Sequence, residues 1–311
     1  MNLRVLLQKL LLAFSLLPTL VLAADRVGDF SLLDQNGYFH QMSWYDDNKA
    51  IVLLVQATGD SAAQNVLADF DSLKSSFDTQ GIEFFMINPL GLKDRDAVKA
   101  EMAARNIDVP VLMDDARLIS EALGINNVGE VLVYNPKSFT LEFRGPMGSA
   151  LISALTDIVA GRDLQTTQVA SSGTPVAYPI KTAHQQQVPS YEREIGPIIA
   201  QNCAACHREG GIAPFALDSH TMVMGWSQMI REVLMTKRMP PGQIDSHIGD
   251  FINDMVLADE SAQKIVHWIE AGSPKDGNSD PLTELVWPET EWAFGEPDYI
   301  VEIPEQSIPA T

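Results

Sequence analysis

The sequence predicts two folded units of different class, an α/β half followed by an all-α half. Three observations predict it. From 27 to 161, short apolar β-branched runs alternate with segments of helical spacing. From 190 to 277 the spacing is helical throughout, and a Pro- and acid-rich tail, 278 to 311, follows. Between the halves, 162 to 189 is rich in Thr, Ser, Gln and Pro with no sustained period, which marks a linker. A chain of 311 residues with 46% hydrophobic content can build two cores.

Ahead of the first unit, residues 1 to 23 read as a secretory signal peptide. Arg4 and Lys9 charge its start, an apolar run reaches Leu22, and Val21 and Ala23 supply small residues for cleavage before Ala24. A retained anchor is the alternative. Pro18 interrupts the run, which falls short of the roughly 20 residues a membrane span needs. The expected product is periplasmic, with no membrane insertion after cleavage. A formal charge of −20 argues against nucleic acid or an anionic membrane as partner. It favours basic protein partners, or else serves solubility alone.

In the first unit, Ile51 to Val55 is a buried strand and Ala62 to Phe77 a helix with Val66, Leu67, Phe70 and Leu73 on one face. Ile82 to Ile87 is the next strand, and Arg95 to Arg105 the next helix. Val131 to Tyr134 and Thr140 to Phe143 form a hairpin through Asn135-Pro136-Lys137-Ser138, and Ala150 to Val159 closes the unit. This is the thioredoxin order of elements. With Val27-Gly28-Asp29-Phe30-Ser31-Leu32, Val109 to Asp114 and Phe143-Arg144-Gly145, residues 27 to 160 resemble the peroxiredoxin and thioredoxin superfamily.

That resemblance implies a redox cysteine at the start of the helix after the first core strand. Here the stretch is Ala57-Thr58-Gly59-Asp60-Ser61-Ala62-Ala63, without sulfur. Gly129 stands where the thioredoxin branch has a cis-proline. With no thiolate there is no thiol–disulfide or peroxide chemistry. Asp60 and Ser61 read as a helix-start cap, so the unit is expected to be a redox-inactive docking module.

In the second unit, Tyr191, Ile195, Ile198 and Ile199 share a helical face, with Ser190 as N-cap and Pro197 as a break. The helix leads into Cys203-Ala204-Ala205-Cys206-His207, which holds both cysteines of the chain. Such a pair can form a disulfide, bind zinc or perform thiol redox chemistry. Zinc lacks a second cysteine pair, and a redox pair belongs after a strand. The spacing with the following histidine is that of covalent attachment of one haem c. Two thiols three positions apart reach both vinyl groups from one turn, and His207 ligates the iron.

The next helix, with Asp218 as cap, runs through Val223, Trp226, Ile230 and Val233 to Lys237 and Arg238 and stops at Pro240-Pro241-Gly242. A last helix spans about Asp259 to Ala271, with Gly272 and Pro274 after it. For the sixth iron ligand the sequence favours Met239, which leaves a helix into a proline-fixed loop. Met222, Met224, Met229, Met235 and Met255 compete, Met229 reading best as core filler. His247 is the histidine rival, while His220 and His267 read as surface or cap residues.

Residues 190 to about 303 resemble the class I cytochrome c domains of bacterial multidomain proteins that also carry a redoxin-like domain. The matching motifs are Cys203 to Pro214, Arg238-Met239-Pro240-Pro241, Trp268 to Gly272, and Phe294 to Asp298 with Ile303-Pro304. The resemblance implies Met239 as distal ligand and Pro214 as the carbonyl that orients His207. Gly242 departs from it, where many relatives carry tryptophan. In many relatives a copper type II, ascorbate-dependent monooxygenase domain follows, and it would begin about where this chain stops, at Thr311. The expected function is single-electron transfer with a redox partner, a copper monooxygenase or another cytochrome. A haem peroxidase or sensor with an open sixth site, and a structural subunit of a redox complex, are the alternatives.

Overall fold

The structure, a computed structural model, describes residues 26–90, 95–245, 247–249, 251–252, 254–287 and 296–307. The predicted leader at 1–23 lies outside the described residues, as do Phe294 and Gly295. Among the described residues no helix is long and apolar enough to cross a membrane.

In the first half, β1 (Ser31–Asp34), β2 (Phe39–Gln41), β3 (Ala50–Val55), β4 (Ile82–Asn88), β5 (Val111–Met113), β6 (Glu130–Asn135) and β7 (Thr140–Pro146) form one sheet in the order β2-β1-β5-β4-β3-β6-β7. β3, β4 and β5 run parallel, and the remaining pairings are antiparallel. Every residue of β3 is buried, because both faces of the sheet are covered. Side chains alternate, so Ala50, Val52 and Leu54 enter one core while Ile51, Leu53 and Val55 enter another.

Among the described residues five α-helices accompany the sheet: α1 (Ser61–Gln64), α2 (Leu67–Phe77), α3 (Arg95–Ala104), α4 (Leu118–Ala122) and α5 (Ser149–Val159). The single helix predicted over 62 to 77 is two, because its ends serve different cores. Ala63 packs with Ala57 and Val128, whereas Leu67, Phe70 and Leu73 pack under the sheet with Val98, Met102, Leu151 and Leu155.

The predicted linker is neither featureless nor free. Thr167 O accepts from Arg144 N at 2.9 Å, and Val169 N donates to Arg144 O at 2.8 Å. Further on, Val128 N donates to Thr174 O and Val176 N to Asn126 O, each at 2.9 Å. The segment then enters α6 (Pro179–Gln186), with Pro179 in the first turn.

The second half holds no strand among the described residues from 190 to 277. A π-helical turn, Tyr191–Ile195, is capped by Ser190 Oγ accepting from Arg193 N at 3.1 Å, and it runs into α7 (Gly196–Asn202). α8 (His220–Gly225), α9 (Ser227–Met235) and α10 (Asp259–Glu270) complete the helices. Tyr191, Ile195, Ile199, Val223, Ile265 and Trp268 make one core, so first and last helices pack together as predicted.

The predicted helix through Trp226 breaks there into α8 and α9, and its cap is not Asp218. His220 N donates instead to Asp280 Oδ2 at 2.8 Å, from the predicted tail. Asp280 also accepts from Tyr191 Oη at 2.5 Å, and Leu282 is buried in this core, so the helical unit continues past 277.

Two histidine assignments are corrected as well. His220 is buried, with Nε2 2.9 Å from Ser273 O, and His267 is buried, with Nε2 2.7 Å from Glu121 Oε2. Among the methionines considered as ligands, the core filler is Met235, not Met229, which is exposed. Met235 and Val266 belong to the core of Ile51, Leu53 and Phe85. The two halves therefore share a hydrophobic core.

Candidate functional site

Helical hydrogen bonding continues past the end of α7 and winds the cysteine motif into a turn. Cys203 N and Ala204 N both bond Ile199 O, at 2.9 and 3.0 Å, and His207 N bonds Cys203 O at 3.0 Å. Both thiols and the imidazole thus leave one turn. Cys203 and Cys206 are free and half-buried. Burial, and secondarily Cys206, pushes the Cys203 thiol up to about 12. A nucleophilic redox cysteine needs the opposite shift.

After the motif the chain folds back on itself. Ala213 N bonds Cys206 O at 3.1 Å and Leu217 N bonds His207 O at 2.8 Å. This return needs glycine at 211, where a Cβ would lie 2.4 Å from Cys206 O. It brings Phe215 O to 3.2 Å from His207 Nδ1, so the orienting carbonyl is Phe215's rather than Pro214's. The fold-back sets the carbonyl one residue later than the resemblance implied. A carbonyl only accepts, so Nδ1 carries a proton, and in the neutral imidazole the lone pair is then on Nε2, the tautomer a metal ligand requires. The Phe215 ring lies 4.7 Å from His207 and stacks on Trp226 at 4.2 Å and 16°.

This donor set fits a covalently held haem: two unpaired thiols for thioether bonds and one imidazole Nε2 for iron. Among the described residues no group of three or more His, Cys, Asp or Glu side chains is placed to hold a metal ion. Of the sixth-ligand rivals, Met235 is buried in the shared core. His247 has both ring nitrogens engaged, Nδ1 at 3.1 Å from Asp245 and Nε2 at 3.3 Å from Asp115. Met239 is 40% exposed in the loop after α9, its N–H bonded to Val233 O at 3.3 Å. Met224, Met229 and Met255 are also exposed.

The second place of interest is the start of α1, where the sequence lacks a cysteine. Asp60 Oδ1 accepts from Ala62 N at 2.7 Å and Ala63 N at 3.3 Å, the predicted cap. The Thr174 side chain is the main cause holding the Asp60 carboxyl below its ordinary range. Glu101 of α3 accepts from Gly59 N at 3.2 Å, Gln56 Nε2 at 3.2 Å and Gln64 Nε2 at 2.6 Å. Gln56 also accepts from Asn88 Nδ2 at 3.1 Å, both side chains being buried. Gly129 bonds Val55 O at 2.8 Å with φ +85°, and a Cβ there would lie 3.2 Å from Ala62 O. It faces the helix start, where the sequence reading put the cis-proline's replacement.

Residues 23–145 match the model of the AhpC/TSA family. The first half of the chain is a thioredoxin-like redoxin domain. No curated protein matches the chain. Solved structures similar to it include a hypothetical protein from Sinorhizobium meliloti, with 20% identity, TM-score 0.45, and coverage of 50% of this chain and 94% of that one. A thiol:disulfide interchange protein of the thioredoxin family from Chlorobium tepidum has 19% identity, TM-score 0.37, and coverage of 45% and 96%. A peroxidoxin from Mycobacterium tuberculosis has 19% identity, TM-score 0.35, and coverage of 44% and 93%.

In this redoxin domain Glu101 and the amides of Gln56, Gln64 and Asn88 form one hydrogen-bonded group tied to Gly59 of the thiol-free loop, and Thr174 bonds Asp60. Sequence reasoning missed Gln56, Asn88 and Glu101, because each is an ordinary polar residue until the sheet and α3 bring them together. A buried-strand end carrying Gln56 and Asn88 was the available signal.

Proposed function

We propose that the chain is a c-type cytochrome that exchanges single electrons with a partner oxidoreductase, its redoxin domain serving as a thiol-free supporting and docking module. The observation that carries this reading is the turn at 203–207, with two free thiols and an imidazole whose Nδ1–H is committed to Phe215 O. Cys203 and Cys206 would hold the haem through thioether bonds, and His207 Nε2 would bind its iron. A haem so held supplies one-electron chemistry at the iron. The Phe215 ring packs at a tilt against the His207 ring and is itself stacked on Trp226, which limits how far the imidazole can turn. Met239 is the proposed sixth ligand; its thioether would raise the potential and suit electron transfer.

The redoxin domain supplies no competing thiol chemistry, since the chain's two cysteines both lie in the other half. Export through the 1–23 leader would deliver the chain to the periplasm. The −20 charge suits a partner with a basic docking face, a copper monooxygenase or another cytochrome being the classes considered.

The test is an optical spectrum, oxidised and reduced, of protein matured with a c-haem attachment system, beside Met239→Ala. A low-spin spectrum with a methionine–iron charge-transfer band, lost in the variant, is expected. A high-spin spectrum unchanged in the variant would overturn the Met239 assignment and favour a peroxidase or sensor. Protein that carries no covalent haem after such maturation would overturn the whole reading.

A further inference from the structure

The loop from Thr236 to Ala258, which carries Met239, has no regular helix or strand among its described residues. Such a loop holds a side chain in place only as firmly as its ties allow. Near Met239 the ties are local: Gln243 Nε2 donates to Lys237 O at 3.2 Å and Pro240 O at 3.0 Å. Beyond Gln243 they cross to the redoxin domain. Arg95, the first residue of α3, grips Asp245 with both ends of its guanidinium, Nη1 to Oδ2 at 2.5 Å and Nη2 to Oδ1 at 3.0 Å. The two side chains are 8% and 14% exposed. His247 then bridges Asp245 to Asp115, which follows β5.

Two further observations show that the grip is built into the fold. Gly37, between β1 and β2, roofs the pair at φ +90°, and a Cβ there would lie 3.2 Å from Asp245 Oδ2. Arg95 and Met239 also line the same cavity of about 70 Å³ between the halves, with Asp115 and Lys237. Arg95 and the proposed ligand thus border one cavity at the seam.

We infer that Arg95 is a positioning residue for the sixth-ligand loop: through Asp245 it ties the chain that follows Met239 to the redoxin domain. The inference rests on the cytochrome reading above. It gives the thiol-free domain a task in which sulfur has no part. A planar fork held bidentate by one carboxylate fixes direction as well as distance, which a lysine ammonium cannot reproduce.

The experiment uses full-length holoprotein and reads the methionine–iron band together with imidazole binding to the ferric iron. For Arg95→Gln the band weakens and imidazole binds at least tenfold more tightly, because the loop releases Met239 more readily. Arg95→Lys, which restores charge without the fork, falls between the two. Leu155→Val, a change in the redoxin core on the other face of the sheet, leaves both readouts as in the unaltered protein. If Arg95→Gln does not fold, Asp245→Asn is read in its place with the same expectation. An unaltered protein without the band refutes the Met239 assignment itself. An intact band with imidazole affinity within twofold in Arg95→Gln, or in Asp245→Asn where that stands in, overturns the positioning role alone.

Discussion

Asp114 lies just after β5, buried, with Oδ2 accepting from both the N–H and the hydroxyl of Ser120 at 2.6 Å. Burial is the larger effect and pushes its carboxyl up to about 6 from an ordinary 3.8, the Ser120 bonds opposing it. The folded protein therefore holds this proton where the unfolded chain has released it. Stability from this group is complete below about pH 4 and is lost as pH rises through about 6, on the order of 3 kcal/mol in all. Asp114→Asn keeps an acceptor for Ser120 N–H and has no proton to lose. Denaturant unfolding between pH 4 and 7 should show a smaller fall in stability with rising pH for the variant. Identical slopes would contradict the assignment. The sequence displays Asp114 only as the end of an apolar stretch; its burial follows from β5 lying between β1 and β4.

The strap between the halves behaves as an element although it is not a helix or a strand. Gly173 sits so close to the redoxin domain that a Cβ would lie 2.0 Å from Val128 O, a backbone atom that cannot swing aside. Gly173→Ala should therefore lift the strap, at a cost of about 1–3 kcal/mol. Hydrogen exchange should then quicken at least tenfold at Val128 and Val176, whose amides bond across the strap, while β3 and β4 stay protected. Unchanged protection at both amides would contradict the close approach. Composition hides this strap because its pairing uses backbone groups, which every residue carries. The elements legible in the sequence are β3 and β4, as short apolar runs, the β6–β7 hairpin around its Asn-Pro turn, and α3, α5 and α10 from helical spacing. The cap from Asp280 was not legible, since it depends on a partner far along the chain. At the candidate site the cysteines and His207 could be read from spacing alone. Phe215 as the orienting carbonyl could not, because that depends on how tightly the loop returns at Gly211.

At the scale of the whole molecule, the two halves cannot be treated as beads on a flexible tether. Met235 and Val266 complete the redoxin core from the far side. Around them Gln263 Nε2 donates to Ala116 O at 2.7 Å, and Lys181 of α6 reaches Glu121 at 3.6 Å and Glu270 at 3.8 Å. The apolar contact matters most, since ion pairs that keep solvent access add little. Truncating Met235 to Ala leaves a hole in a core that both halves use, and should cost about 2–5 kcal/mol. Full-length protein should unfold in one transition, with tryptophan fluorescence in a Trp44→Phe background reporting the helical half and the β-sheet infrared band reporting the redoxin half. In Met235→Ala the two signals should separate, the helical half melting first because its own core is the smaller. Two transitions in the unaltered chain would show that the shared core does not couple the halves. Coincident signals in a destabilised Met235→Ala would show that the strap and the polar ties suffice without it.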